Sequence, residues 1–345
     1  MRRAPPLLAR YAEGLFWMAR YLERVENLAR LIEVTQSFAT PGGEQNGEPG
    51  GPEAGGWFAL VRLNVDEVGF AARGEAPSAE AVKRFYLLDA TNPTSIPAAL
   101  EAARTNARTL RPLISTEMWS QLNAFHRGMQ AVGEADLAGD HLSRLCAWLK
   151  EGVQTHTGIT LGTFYRDQAW RFYQLGRMIE CADQTTRLLD VRYHLLVPAE
   201  REARRVTEMA QWAGVLRGVA GYHAFRRVAP LAFTPADVVA FLLIDRGFPR
   251  SVRVCVERIL EGLTALRRDW GLHATARALE CAENLRGGLL GQDIQTILDD
   301  GLHEFLDHVQ RDLTMLASEI GTAFFRDWRP LAPQPSAVPP ASVQQ

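Results

Sequence analysis

The sequence predicts an all-α protein, an internally duplicated helical bundle of two pseudo-two-fold-related units of roughly 160 residues each. Three observations carry this. The chain is dense in Ala, Leu, Arg and Glu, with apolar residues at helical spacing. The Val-Ile-Thr alternation of strands is scarce. And ARYLERVEN at 19–27 returns as GRMIECADQ at 176–184, with Glu23 and Glu180 157 residues apart.

The first helix spans this motif. At about 100° per residue, Trp17, Met18, Tyr21, Leu22, Val25, Leu28 and Ile32 share an apolar face. Arg20, Glu23, Asn27 and Arg30 fall on the other, flanked by Arg24 and Glu26. Residues 39–56, ATPGGEQNGEPGGPEAGG, read as a flexible loop. With no GK[ST] and no preceding strand, they do not form a phosphate-binding P-loop. Next, GGWFALVRL (Trp57, Arg62) matches AQWAGVLRG (Trp212, Arg217) at offset 155. YLLDATNPTSI matches FLLIDRGFPRSV, pairing Pro93 with Pro249 and Ser95 with Ser251 at offset 156. In both, proline is expected in the first helical turn and serine as the cap. Ser115 likewise reads as a cap. GTFYRDQAW and GTAFFRDW close each unit, with Gly162 and Gly321 at offset 159.

The order and spacing of these matches give repeat 1 over about 1–170 and repeat 2 over about 171–328. Together they form one domain, 1–328, followed by a Pro-rich, disordered tail at 329–345. Two copies are too few for a stacked solenoid, so two bundles are expected to pack through their apolar faces.

The second copy repeats the polar stripe with Arg177, Glu180, Asp183, Gln184 and Arg187. Three readings fit it. It is a solvated face laced by i,i+4 pairs such as Glu26–Arg30 and Asp183–Arg187. It is a polar seam in which the two related helices satisfy each other. Or it is a site where guanidinium forks hold a carboxylate or phosphate, with Glu23 and Glu180 orienting them or acting as an acid/base pair. A third echo, ARALECAEN at 276–284, would add Glu280 and Glu283, or is a chance look-alike.

Composition narrows the function. With 47% hydrophobic and 23% charged residues, the chain can bury a sizeable core. A formal charge of −2 without a basic block argues against nucleic acid as a partner. Cys146, Cys181, Cys255 and Cys281 form no CxxC pair, which points to free thiols in a reducing cytosol. Arg10 and Glu13 interrupt the apolar start before it could serve as a signal core. VVAFLLI at 238–244 is too short to cross a bilayer. Glu304 and His308 stand at i,i+4, but HExxH and paired ExxH motifs are missing, so no metal and no cofactor are expected. No GxSxG elbow appears.

YAEGLFWMARYLERVENLARLIE resembles the opening of the Alpha-E domain family, helical bacterial proteins named for a Glu-Arg motif. TNPTSIPAALEAARTNARTLRPLISTEMWSQLN is similar to its central segment, and WRFYQLGRMIECADQTTRLLDVRYHLL to its second signature. Carried over, the motif is Glu23-Arg24. In the second signature Cys181 stands where the family has arginine. The resemblance implies a partnership: a circularly permuted ATP-grasp ligase beside or fused to the chain, and often a transglutaminase-like peptidase. The expectation is an accessory protein for an ATP-grasp peptide or amide ligase, holding an anionic peptide-like substrate through Arg20, Glu23, Arg24, Asn27, Arg30, Arg177, Glu180, Asp183, Gln184 and Arg187. The alternatives are a catalytic subunit using Glu23 or Glu180 to form or cleave amides, and a structural oligomer with a buried polar seam.

Overall fold

The computed structural model describes residues 7–38, 52–195, 201–229 and 233–325. Among them are fifteen α-helices and no strand. In chain order the helices begin with α1 (Ala9–Phe38), α2 (Pro52–Leu63), α3 (Glu67–Ala71), α4 (Ala79–Leu87), α5 (Ile96–Thr109), α6 (Thr116–Gln130) and α7 (Gly139–Thr163). Then come α8 (Gln168–Leu195), α9 (Arg201–Gly218), α10 (Tyr222–Val228), α11 (Pro235–Ile244), α12 (Val252–Trp270), α13 (Ala276–Leu290), α14 (Ile294–Asp300) and α15 (Leu302–Phe324). Of the expected loop, 39–51 lie outside the described residues, as does the expected tail at 329–345. Pro52 opens α2, so the loop ends earlier than its glycines suggest: proline is pre-set for a helix start.

Capping serines start the helices where the sequence places them. Ser95, Ser115 and Ser251 accept from the backbone N–H groups of Ala98, Met118 and Val254. Pro93 and Pro249, however, lie two residues before these caps rather than in the first turn. The proline inside α5 is Pro97.

α1 and α8 form the central pair and are roughly 45 and 42 Å long at 1.5 Å per residue. They run side by side in the same direction. Contacts advance together along both: Leu7 with Gln168, Phe16 with Gly176, Arg20 with Glu180. Gly176 permits the closest approach, since a Cβ there would lie 2.1 Å from the Phe16 carbonyl oxygen. Around this pair, α5, α7 and α9 pack on α1, and α12, α15 and α2 pack on α8. α6 lies on α5 and α7, and α13 on α12 and α15. The buried apolar side chains form one continuous core.

α2 and α9 end alike. Asp66 N–H donates to the Val61 carbonyl and Gly221 N–H to that of Leu216, with Val65 (φ 57°) and Ala220 (φ 56°) left-handed between. This is the six-to-one closure of a Schellman turn.

Candidate functional site

With other helices packed on them, α1 and α8 bury the carboxylates of their polar stripes, while Arg20, Arg24, Arg177 and Arg187 stay partly exposed. Glu23 is 2% exposed and Glu180 is fully buried. The reading of a solvated face is therefore wrong for this stripe. Periodicity assigns a polar row to solvent, but here two such rows face each other across the central pair.

The partners cross between the helices. Glu180 of α8 accepts from Arg20 Nε at 2.8 Å and from Arg24 through Nε at 2.7 Å and Nη2 at 3.2 Å. Glu23 of α1 accepts from Arg177 Nε of α8 at 3.2 Å and from Arg250, which sits just before α12. Asn27 donates to Glu23 at 3.1 Å and accepts from Arg250. Gln184 stands against Glu180 at 3.5 Å. Further along, Arg30 bonds Glu26 and the Gly218 carbonyl at the end of α9. Arg187 bonds Asp183 at 2.7 Å and the Leu63 carbonyl at the end of α2. Arg30 and Arg187 thus each pair with a carboxylate and also satisfy an orphan helix-end carbonyl. All ten residues expected to share a site belong to this one seam.

Arg250 is the member that sequence reasoning missed. Glu180 receives the arginine next to the first glutamate, Arg24. At the matching place in the second stretch stands Cys181, too short to reach Glu23, and Arg250 supplies the guanidinium instead. Arg250 stands 156 residues after Thr94, the offset that also separates Ser95 from Ser251. The signal lay in two differences between the matching stretches, cysteine at 181 against arginine at 24 and arginine at 250 against threonine at 94. Cys181 instead bonds the neighbouring Cys255 thiol, which lowers its pKa. All four cysteines are free.

Burial pushes both glutamates up, but the guanidinium charges outweigh it. Arg24 and Arg20 hold Glu180 at about 2, and Arg250 and Arg177 hold Glu23 below the ordinary carboxylate range. Both are ionised hydrogen-bond acceptors at neutral pH. A general base needs a pKa near the working pH and a free oxygen facing its substrate, and these two meet neither requirement.

Elsewhere, Glu33 accepts from Lys150 of α7 at 2.6 Å, and Asp190 pairs with His303 of α15 at 2.8 Å. His308 is exposed and stands 3.6 Å from Asp312. Glu280 and Glu283 are exposed on α13, so the third echo does not line the interior. Among the described residues no helix is long and apolar enough to cross a membrane.

The Alpha-E family, described as a predicted alpha-helical domain with a conserved ER motif, matches residues 7–325. Uncharacterized proteins of Mycobacterium bovis and Mycobacterium tuberculosis are 25% identical over 309 residues, which is 85% of this chain. The chain spans about a third (34%) of the length of these curated relatives. No solved structure matches it.

Proposed function

The chain belongs to the Alpha-E family, and we propose that it is a non-catalytic scaffold, duplicated from one helical unit, that partners an ATP-grasp peptide or amide ligase in the cytoplasm. The observation that carries the non-catalytic reading is the saturation of Glu23 and Glu180 by guanidinium groups from across the central pair. Carboxylates so buried and so acidic hold a structure together better than they take protons. This also argues against the alternative of a catalytic subunit using Glu23 or Glu180. A structural oligomer is not needed to explain the seam, because one chain completes it.

The duplication draws support from packing as well as sequence. α5 lies on α1 as α12 lies on α8, and α2 and α9 each cross to the other copy's central helix. Arg30 and Arg187 reach matching helix ends, and Glu33 and Asp190 tie matching helices. The partnership draws support from the relatives, in which the matched region is part of a chain about three times as long. Such a unit works beside other domains. The ligase, and a transglutaminase-like peptidase beside it, are what the family resemblance supplies. The four free thiols fit a reducing compartment.

The test is co-purification with the neighbouring ATP-grasp protein, followed by ATP turnover with and without this chain. Association at micromolar concentration and turnover that depends on the chain are expected. Amide turnover by the chain alone, lost in a folded Glu180→Gln variant, would replace this reading with the catalytic one.

A further inference from the structure

One cavity opens onto the buried seam. It is a groove of about 320 Å³ between α1 and α15, at the lower end of the roughly 300–1,000 Å³ of small-molecule sites. Its apolar wall is aromatic: Phe16 and Trp17 on α1 and Phe325 after α15. The α15 side is built from small residues, among them Thr314, Ser318 and Gly321, which leave the space open and offer hydroxyls. Arg20 lines the same groove and belongs to the seam.

Arg20 uses one edge of its guanidinium inside the protein. Nε donates to Glu180 at 2.8 Å, and Cζ lies over the Trp17 ring, 4.9 Å from its centroid. Among the described residues, nothing accepts from its two terminal amino groups. A guanidinium has five N–H donors in a rigid fork, and the edge left over matches a second carboxylate. The local charge favours one. Six guanidiniums (Arg20, Arg24, Arg30, Arg177, Arg187 and Arg250) face four carboxylates (Glu23, Glu26, Glu180 and Asp183) in the seam, with Asp66 a fifth within electrostatic reach of Arg24 and Arg187. Glu13 also lines the groove, and the protein itself engages it. It stands seven residues before Arg20, roughly 10 Å away along the helix axis, so a carboxylate on Arg20 need not approach it.

We propose that this groove binds a peptide-like carboxylate, with the carboxylate on the free edge of Arg20 and an adjoining aromatic or aliphatic side chain against Phe16, Trp17 and Phe325. This rests on the reading of the chain as a partner of a peptide or amide ligase, and adds to it a place where the chain would hold the substrate.

N-acetyl-phenylalanine and its neutral analogue N-acetyl-phenylalaninamide, titrated into the full chain by calorimetry, are suitable probes. The acid is expected to bind saturably, and the amide at least about tenfold more weakly, the loss of one charge-assisted pair. Ser318→Phe fills the groove from the exposed face of α15 and replaces a residue that takes no part in the hydrogen bonds of the seam. It should abolish binding of the acid with an unchanged melting temperature. Arg20→Lys keeps a charge for Glu180 but loses the fork, and should weaken the acid while leaving the amide as it was. Equal binding of acid and amide overturns the proposal, as does undiminished binding in folded Ser318→Phe, or no saturable binding of the acid. Ligase co-purification measured on Ser318→Phe separates the two ideas. If the acid does not bind but the ligase still associates, the groove is not the holding site and the docking reading stands.

Discussion

At the residue scale, the seam balances Glu180 with Arg20 and Arg24, and Glu23 with Arg177 and Arg250, which reaches it from just before α12. Removing one partner of a buried pair costs about 3–5 kcal/mol, because the other charge stays behind unpaired. Arg250→Thr should fall in that range. Cys181→Arg alone should also destabilise, since it crowds a third guanidinium against Glu23. Together the two changes place arginine after Glu180 and threonine before Ser251, as Arg24 follows Glu23 and Thr94 precedes Ser95, so the double variant should recover about 1–3 kcal/mol relative to the sum. Denaturant melts of the four proteins check this, and strictly additive costs would refute the exchange. Acid should act on the same core. Glu180 titrates at about 2 in the fold against 4.5 ordinarily, so its contribution is complete above 4.5 and is lost as pH falls toward 2. His156 is driven from 6.5 to about 4 by burial and stays neutral in the fold. Its contribution is complete above 6.5 and is lost as pH falls toward 4. Each gap corresponds to roughly 3 kcal/mol. Urea melts across this range should show stability declining in two stages, and His156→Gln should remove the upper one. An unchanged upper stage in that variant would assign it to another group.

At the element scale, helix positions and serine caps were legible because they depend on local patterns: apolar spacing, and a hydroxyl before a first turn. Burial of the polar stripe was not legible. A row of Arg and Glu looks the same whether it meets water or a second such row, and only the packing of α1 against α8 decides between them. Nor did periodicity register the turns after α2 and α9, where the sequence has Val65 and Ala220 in place of the usual glycine. A left-handed conformation costs an L-residue about 1–2 kcal/mol, more pressingly for a β-branched one. Val65 is 77% exposed, so little packing is lost on replacing it. Val65→Gly should therefore stabilise the protein by about 1 kcal/mol, after the greater freedom of glycine in the unfolded chain is deducted. Thermal unfolding gives the answer, and a lowered midpoint would mean that the valine side chain has a packing role its exposure does not reveal.

At the scale of the whole molecule, the crossing of partners makes the two halves interdependent. The ends of parallel helices lie far apart, so α2 to α7 must carry the chain from the end of α1 back to the start of α8. Within residues 1–166, Arg20 and Arg24 lack Glu180, and Glu23 lacks both Arg177 and Arg250. The core face of α1 that meets α8 would also be open to water. Residues 167–345 suffer the reciprocal loss. Uncompensated buried charges and exposed apolar surface act in the same direction, and their combined cost is comparable with the 5–15 kcal/mol by which a typical domain is stable. Neither fragment should melt cooperatively alone, while an equimolar mixture should recover helicity, a single transition and the elution volume of the intact chain. Circular dichroism and size-exclusion chromatography decide it. A sigmoidal melt from 1–166 alone would show that this fragment carries its own sufficient core. The seam would then act as an interface between finished domains rather than as the centre of one fold.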